Sequence, residues 1–258
     1  RMLFPVFGST EKVDKVASKL LAGRVAVFVD GSPFVLTAPY VFAESLQSAE
    51  DYLKNPVYAT AMRLLRVLAL LLSLYFPAMY ITVLKYGPEL LPDAVTAILR
   101  ESREGMPLEP FFEIVIMLVV FELLREVGIR MPRTVGDAVG IVGSLIVGDA
   151  ATQAGLASTV VVVVVAITAV CTFIVPMYMN AQLLFRFVFL FAGYFFSFFG
   201  VIAATLLLLA YLAQKESFGV SYLSPLAPVV PAGLLDFLLA LPRRSMRRRD
   251  RLVGREKE

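Results

Sequence analysis

From Phe187 to Ala213 the sequence FVFLFAGYFFSFFGVIAATLLLLAYLA runs for 27 residues without a charged side chain. A helix of that length rises about 40 Å, more than the roughly 30 Å of hydrocarbon in a bilayer. Ser158–Tyr178 is a second such run. Six consecutive valines, Val160–Val165, would favour a strand in water. In lipid an isolated strand leaves its backbone groups unpaired, so a helix is expected. Leu64–Leu84 is a third run, with Arg66 able to snorkel to the surface and Pro77 expected to kink it. Phe111–Leu124 is a fourth and carries two acids, Glu113 and Glu122. Residues 85–109 mix both charge signs with prolines and read as interfacial. Overall 59% of residues are hydrophobic and 17% charged, and the apolar excess lies in these runs, which argues for a bilayer rather than a large soluble core.

Arginine placement sets the expected topology. Seven arginines fall between Arg243 and Arg255, and this tail is expected on the cytoplasmic side, as is the loop bearing Arg130 and Arg133. Four crossings satisfy both, at 64–84, 110–128, 158–179 and 187–213. The small-residue stretch 135–154 then lies against the bundle or dips in without crossing. Ahead of the spans, residues 1–55 read as the end of a small soluble α/β domain. Residues 11–21 have helical spacing with Gly23 as the stop, and Arg24–Val29 and Pro33–Ala38 form a hairpin around Asp30-Gly31. Residues 41–53 read as a second helix. The first residue is Arg rather than Met, so the chain is expected to begin inside a longer protein. The expected fold is therefore mostly α: a polytopic helical membrane domain over 56–241, preceded by part of a cytoplasmic α/β domain over 1–55 and followed by a basic tail over 242–258.

Several chemistries are disfavoured by composition. There is no His, and Cys171 is the only cysteine, which removes a disulfide framework within the chain, a Cys/His metal site and any His-based triad. No phosphate loop or nucleophile–base pair is present, so neither an enzyme nor a bound cofactor is expected.

Four groups of residues stand out. Gly136, Gly140, Ser144 and Gly148 recur every four residues, a spacing that lets helix backbones approach closely in membranes. Such a face serves either contact between subunits or packing within one. On the helix at 158–179, Ser158, Val161, Val165, Thr168, Thr172 and Val175 share one face. Hydroxyls flanking a valine ring suit a pore gated by dewetting; alternatively Thr168 and Thr172 bond back to their own helix carbonyls. Glu113 and Glu122 are nine residues apart, so they lie on opposite sides of one helix. Each is either part of an acidic ring or half of a structural ion pair, with Arg125 the partner at hand for Glu122. Asp149 is a third acid, within the small-residue run. The tail arginines Arg243, Arg244, Arg247, Arg248 and Arg249 fit anionic lipid and a topological role better than nucleic acid.

The segments VDGSPFVLTAPYVF and LQSAEDY, PELLP, FELLREVGIRMPR, VGDAVGIVGSLIVGDAATQAG and FGVSYLSPLAP resemble, in order, those of the GerA-type spore germination receptor A subunits. The resemblance covers about residue 24 to 228. It implies a subunit of a nutrient-responsive complex in the spore inner membrane. A transporter-like B subunit and a C lipoprotein are the implied partners, and homo-oligomeric A subunits would release ions. A sporulation paralogue of the stage V sporulation protein AF type resembles the same pattern. A secondary transporter is the rival class, although no internal repeat is visible.

Overall fold

The computed structural model describes residues 4–48, 51, 54–131, 143, 146–229 and 237, and the chain divides into two compact units. It is mostly helical, with two small sheets.

The first unit gathers residues 1–70, 174–181 and 205–258. Its three-stranded antiparallel sheet has the order β1 (Gly8–Thr10), β3 (Val35–Ala38), β2 (Val25–Val27). The hairpin read from the sequence is present, with Val25 opposite Ala38 and Val27 opposite Leu36. Helix α1 (Val13–Leu21) stops as its sequence dictates. Gly23 takes φ +84°, its N–H bonds Leu20 O at 2.9 Å, and Arg24 N–H bonds Lys19 O at 3.1 Å. Those paired bonds satisfy the last carbonyls of the helix, and only glycine adopts that φ without strain.

The turn delivers Arg24 into the interior, where it pairs with Glu44 on α2 (Phe42–Leu46) and bonds Pro39 O at 3.2 Å. Lys19 joins Glu44 at 3.2 Å, and burial lowers the pKa of its ammonium. The helix expected at 41–53 is described only over α2, which ends where Gln47 turns extended (φ −103°, ψ 140°). A short hairpin, β4 (Glu216–Ser217) and β5 (Val220–Ser221), turns at Phe218 and Gly219, both with positive φ. Tyr222 from this hairpin segment bonds Tyr178 through its hydroxyl at 3.2 Å, and Tyr178 stacks on Phe42 at 5.4 Å. Burial pushes the Tyr222 hydroxyl up to about 12, so it stays protonated.

The second unit comprises residues 71–173 and 182–204. Its helices are α4 (Asp93–Glu101), α5 (Pro110–Arg130), α6 (Thr159–Ile174) and parts of two longer ones, α3 (Pro56–Tyr86) and α7 (Met179–Ala213). A further helical stretch covers 146–153. The valine run is helical, as argued from backbone pairing. Ile81, Ile114, Leu118, Val161, Val165 and Leu190 are among the core residues. Only α3 and the helix that includes α7 are both long and apolar enough to cross a bilayer among the described residues. Pro77 sits within α3, which continues through it to Tyr86. A break falls in α7 at Ser197, with φ 60° and ψ −154°. A Cβ on Gly200 would collide there with the Ala192 carbonyl. Gly193 lets α7 approach α3, since a Cβ would meet Thr82 Oγ1 and stand 3.3 Å from Ala78 O.

Candidate functional site

Two charged side chains of the second unit are buried. Glu113 and Arg186 are both fully inaccessible, whereas Phe195, Phe196 and Phe199 are 61%, 70% and 83% exposed. In water this polarity would be inverted, because lone buried charges cost several kcal/mol and large exposed apolar patches promote association.

Glu113 lies one turn into α5. Its Oε2 accepts the Ser158 backbone N–H at 2.9 Å, just ahead of the first residue of α6. A carboxylate at that position satisfies an orphan donor and complements the positive end of the helix dipole. Arg103 adds charge compensation from 3.7 Å.

The second acid, Glu122, faces two guanidinium groups. Arg125 Nη2 lies 2.6 Å from Glu122 Oε2, close but out of line for a hydrogen bond, and Arg186 Nη1 lies 3.4 Å from Oε1. Arg186 also donates from Nε to Ser73 O at 2.9 Å and from Nη2 to Thr172 Oγ1. One arginine thus joins α3, α5 and α6 to α7. The arginine fork suits this task, since its planar donors point in fixed directions.

The face singled out on α6 is turned inward. Ser158, Val161, Thr168 and Thr172 have no exposed surface and Val165 has 4%, whereas Val163 on the opposite side is 51% exposed. Thr168 bonds Val164 O at 2.7 Å and Thr172 bonds Thr168 O at 2.8 Å. Val175 is buried too, but within the first unit. Gly148 is buried, and a Cβ on it would rest 3.5 Å from Val162 Cγ1. Asp149 is exposed. Gly136, Gly140, Ser144 and the tail arginines Arg243, Arg244, Arg247, Arg248 and Arg249 lie outside the described residues. Among the described residues no three His, Cys, Asp or Glu side chains gather at metal-ligating distance.

Across residues 1–252 the sequence matches the family described as Bacillus/Clostridium GerA spore germination protein. The chain belongs to the GerA family. It is 41% identical over 256 residues to spore germination protein KA of Bacillus subtilis (strain 168), covering 98% of this chain and 47% of that protein. It is 35% identical to spore germination protein GerLA of Bacillus cereus, covering 95% of this chain and 50% of that one. It is also 37% identical to an uncharacterized membrane protein, YfkQ, of Bacillus subtilis (strain 168), covering 95% and 48%. The chain spans about half the length of these curated relatives. No solved structure matches it.

Two features of this GerA-family chain escaped the reading of its sequence. The apolar run begins at Phe187, yet α7 begins at Met179, so Arg186 sits two turns inside the helix. Its neighbour one turn back, Gln182, is 1% exposed. An arginine and a glutamine four residues apart before an apolar run is the signal that would have found them. The contact of Gly193 with Ala78 and Thr82 was also missed, because it is a single glycine rather than a repeated one.

Proposed function

We propose that this chain is the membrane-embedded part of an A-type subunit in a nutrient-responsive germination receptor of the spore inner membrane. In this reading α3, α5, α6 with the turn that follows it, and α7 cross the bilayer. The region around residues 24–55 and the arginine tail face the cytoplasm. Partners are further copies of the chain, a transporter-like B subunit, a C lipoprotein and anionic lipid. The complex conducts ions once nutrient is sensed.

One observation carries the membrane part of this reading. Glu113 and Arg186 are buried while Phe195, Phe196 and Phe199 are exposed in the same unit, a polarity that hydrocarbon favours. The relatives' germination names support the receptor role. For the ion pathway, the α6 face of Val161, Val165, Thr168 and Thr172 is sealed against its own unit in this arrangement. Conduction along that face therefore requires its release from α5 and α7. A scaffold of the sporulation-paralogue type draws support from the same hydroxyls, which are already satisfied by helix carbonyls. A secondary transporter draws support from the break at Ser197, since unwound helix interiors coordinate substrates in that class.

The deciding experiment reconstitutes the full-length protein, alone and with its B and C partners, in liposomes. Nutrient-dependent ion flux together with a closed oligomer in detergent is the expected result. Assembly without flux sinks the channel and leaves the scaffold. Cysteine labelling of Ser245→Cys tests orientation: reaction from outside sealed cells would overturn the cytoplasmic tail.

A further inference from the structure

Among the described side chains, the layer around Glu122 carries more positive charge than negative. Arg125 and Arg186 face a single carboxylate there, and the other described acid nearby, Glu126, is half exposed and paired with Arg130 at 2.7 Å. Two of the cations' donors are also unused: Arg125 Nε and Nη1 are buried and bond nothing among the described residues, in a side chain only 8% exposed. Gln182 is more extreme. It is 1% exposed, and both its amide oxygen and its amide nitrogen lack a partner among the described residues.

These groups share one layer. Phe111 of α5 stacks on Tyr194 of α7 at 4.1 Å, and Glu122 of α5 meets Arg186 of α7. Advancing along α5 thus means retreating along α7, so the two helices run antiparallel. Arg125 is three residues beyond Glu122, about 4.5 Å of rise, and Gln182 is four residues before Arg186, about 6 Å in the same direction. Gln182 and Arg186 fall on one face of α7, and Arg125 and Glu122 on one face of α5. Cys171, a buried thiol, also faces Arg186.

We propose that the second unit binds a small monovalent anion in this layer, held by Arg125 and Arg186 and bonded by the Gln182 amide nitrogen. An anion balances the surplus charge and takes up donors that otherwise cost the full penalty of burial without a partner. Water would satisfy the hydrogen bonds but not the charge. The chemistry fits a halide or a small carboxylate such as acetate. The inference rests on the packing of this unit and not on the channel reading.

The test uses full-length protein purified in detergent, melted at constant ionic strength while sodium gluconate, a bulky reference, is replaced by sodium chloride or sodium acetate. Saturable stabilisation of the parent is expected, because a ligand that binds only the folded state raises its melting temperature. Response to chloride identifies a halide site, and response to acetate alone identifies a carboxylate site. Arg125→Gln should abolish the response. Gln182→Leu, which changes no charge, should raise the half-saturating concentration about tenfold, the loss of one bond to a charged group. Arg130→Gln, in the exposed pair, should respond as the parent does. The proposal is overturned if the parent melts identically in all three salts, or if a folded Arg125→Gln keeps the parent's response. Should Arg125→Gln fail to fold, an unchanged half-saturation in Gln182→Leu overturns it instead.

Discussion

Glu122→Gln is the most informative single change in the helical unit. The substitution keeps side-chain volume and removes one negative charge from between two guanidinium groups, at 2.6 and 3.4 Å. Counting the described side chains alone, the parent layer carries one surplus positive charge; Glu122→Gln raises this to two, and Arg186→Gln lowers it to zero. Removing one partner of a buried ion pair costs about 3–5 kcal/mol, chiefly because the other charge is left uncompensated. Glu122→Gln belongs at the upper part of that range, since two cations are stranded. Arg186→Gln loses its bonds to Ser73 O and Thr172 but strands no charge, so its cost should fall nearer about 2 kcal/mol. The double variant restores the parent's charge balance, and the two changes should couple by about 1–3 kcal/mol. Equilibrium unfolding in mixed detergent–lipid micelles measures all four states of this cycle. If Glu122→Gln lies within about 0.5 kcal/mol of the parent, or the coupling vanishes within error, the layer is wet or mispaired and the charge argument fails.

Three further outcomes follow from other parts of the molecule. Gly193→Val should destabilise the fold by about 1–3 kcal/mol, because the new side chain meets Thr82 and the Ala78 carbonyl, while Val163→Ala on the exposed side of α6 should change little in the same unfolding assay. Val165→Ser should pass ions through liposomes without stimulus if the α6 face lines the pathway, and Val163→Ser should not; equal flux from both folded variants would assign α6 to packing. In the first unit, burial raises the pKa of Asp51, but the bidentate bond from Arg66 at 2.6 and 2.8 Å, the Ser48 N–H and Arg63 outweigh it and hold the carboxyl below its usual 3.8. A depressed folded-state pKa stabilises above the unfolded value and is lost as pH falls through the folded one. Acid melts should therefore show that loss below pH 3.8, and Asp51→Asn should remove it.

What could be read from the sequence was local. The stop at Gly23, the hairpin from Val25 to Ala38 and the helical valine run each depend on neighbours within a few residues, or on the rule that lipid tolerates no unpaired backbone. The charged layer was not local. Arg186 reaches Glu122 across 64 positions and Ser73 across 113, and no spacing rule connects residues on three separate helices. The helices extend beyond the apolar runs, α7 from Met179 and α3 from Pro56, because a charge with a buried partner is tolerated inside a helix. Arg66, read as able to snorkel, reaches back to Asp51. The residues grouped on one face of α6 are buried against its own unit, a side that periodicity alone does not identify on an apolar helix.

The carboxylate of Glu113 at the start of α6 has a consequence for the order of events during synthesis. A run of valines holds little information about where a helix should begin, and a register slip along it would change almost nothing in its own composition. The mark for the first turn comes instead from a side chain made 45 residues earlier. When Ser158 leaves the ribosome, the acid that will receive its N–H has already been translated as part of α5. The later helix is thus aligned by a fixed point on an older one, much as a new course of bricks is set out from a peg in the course below.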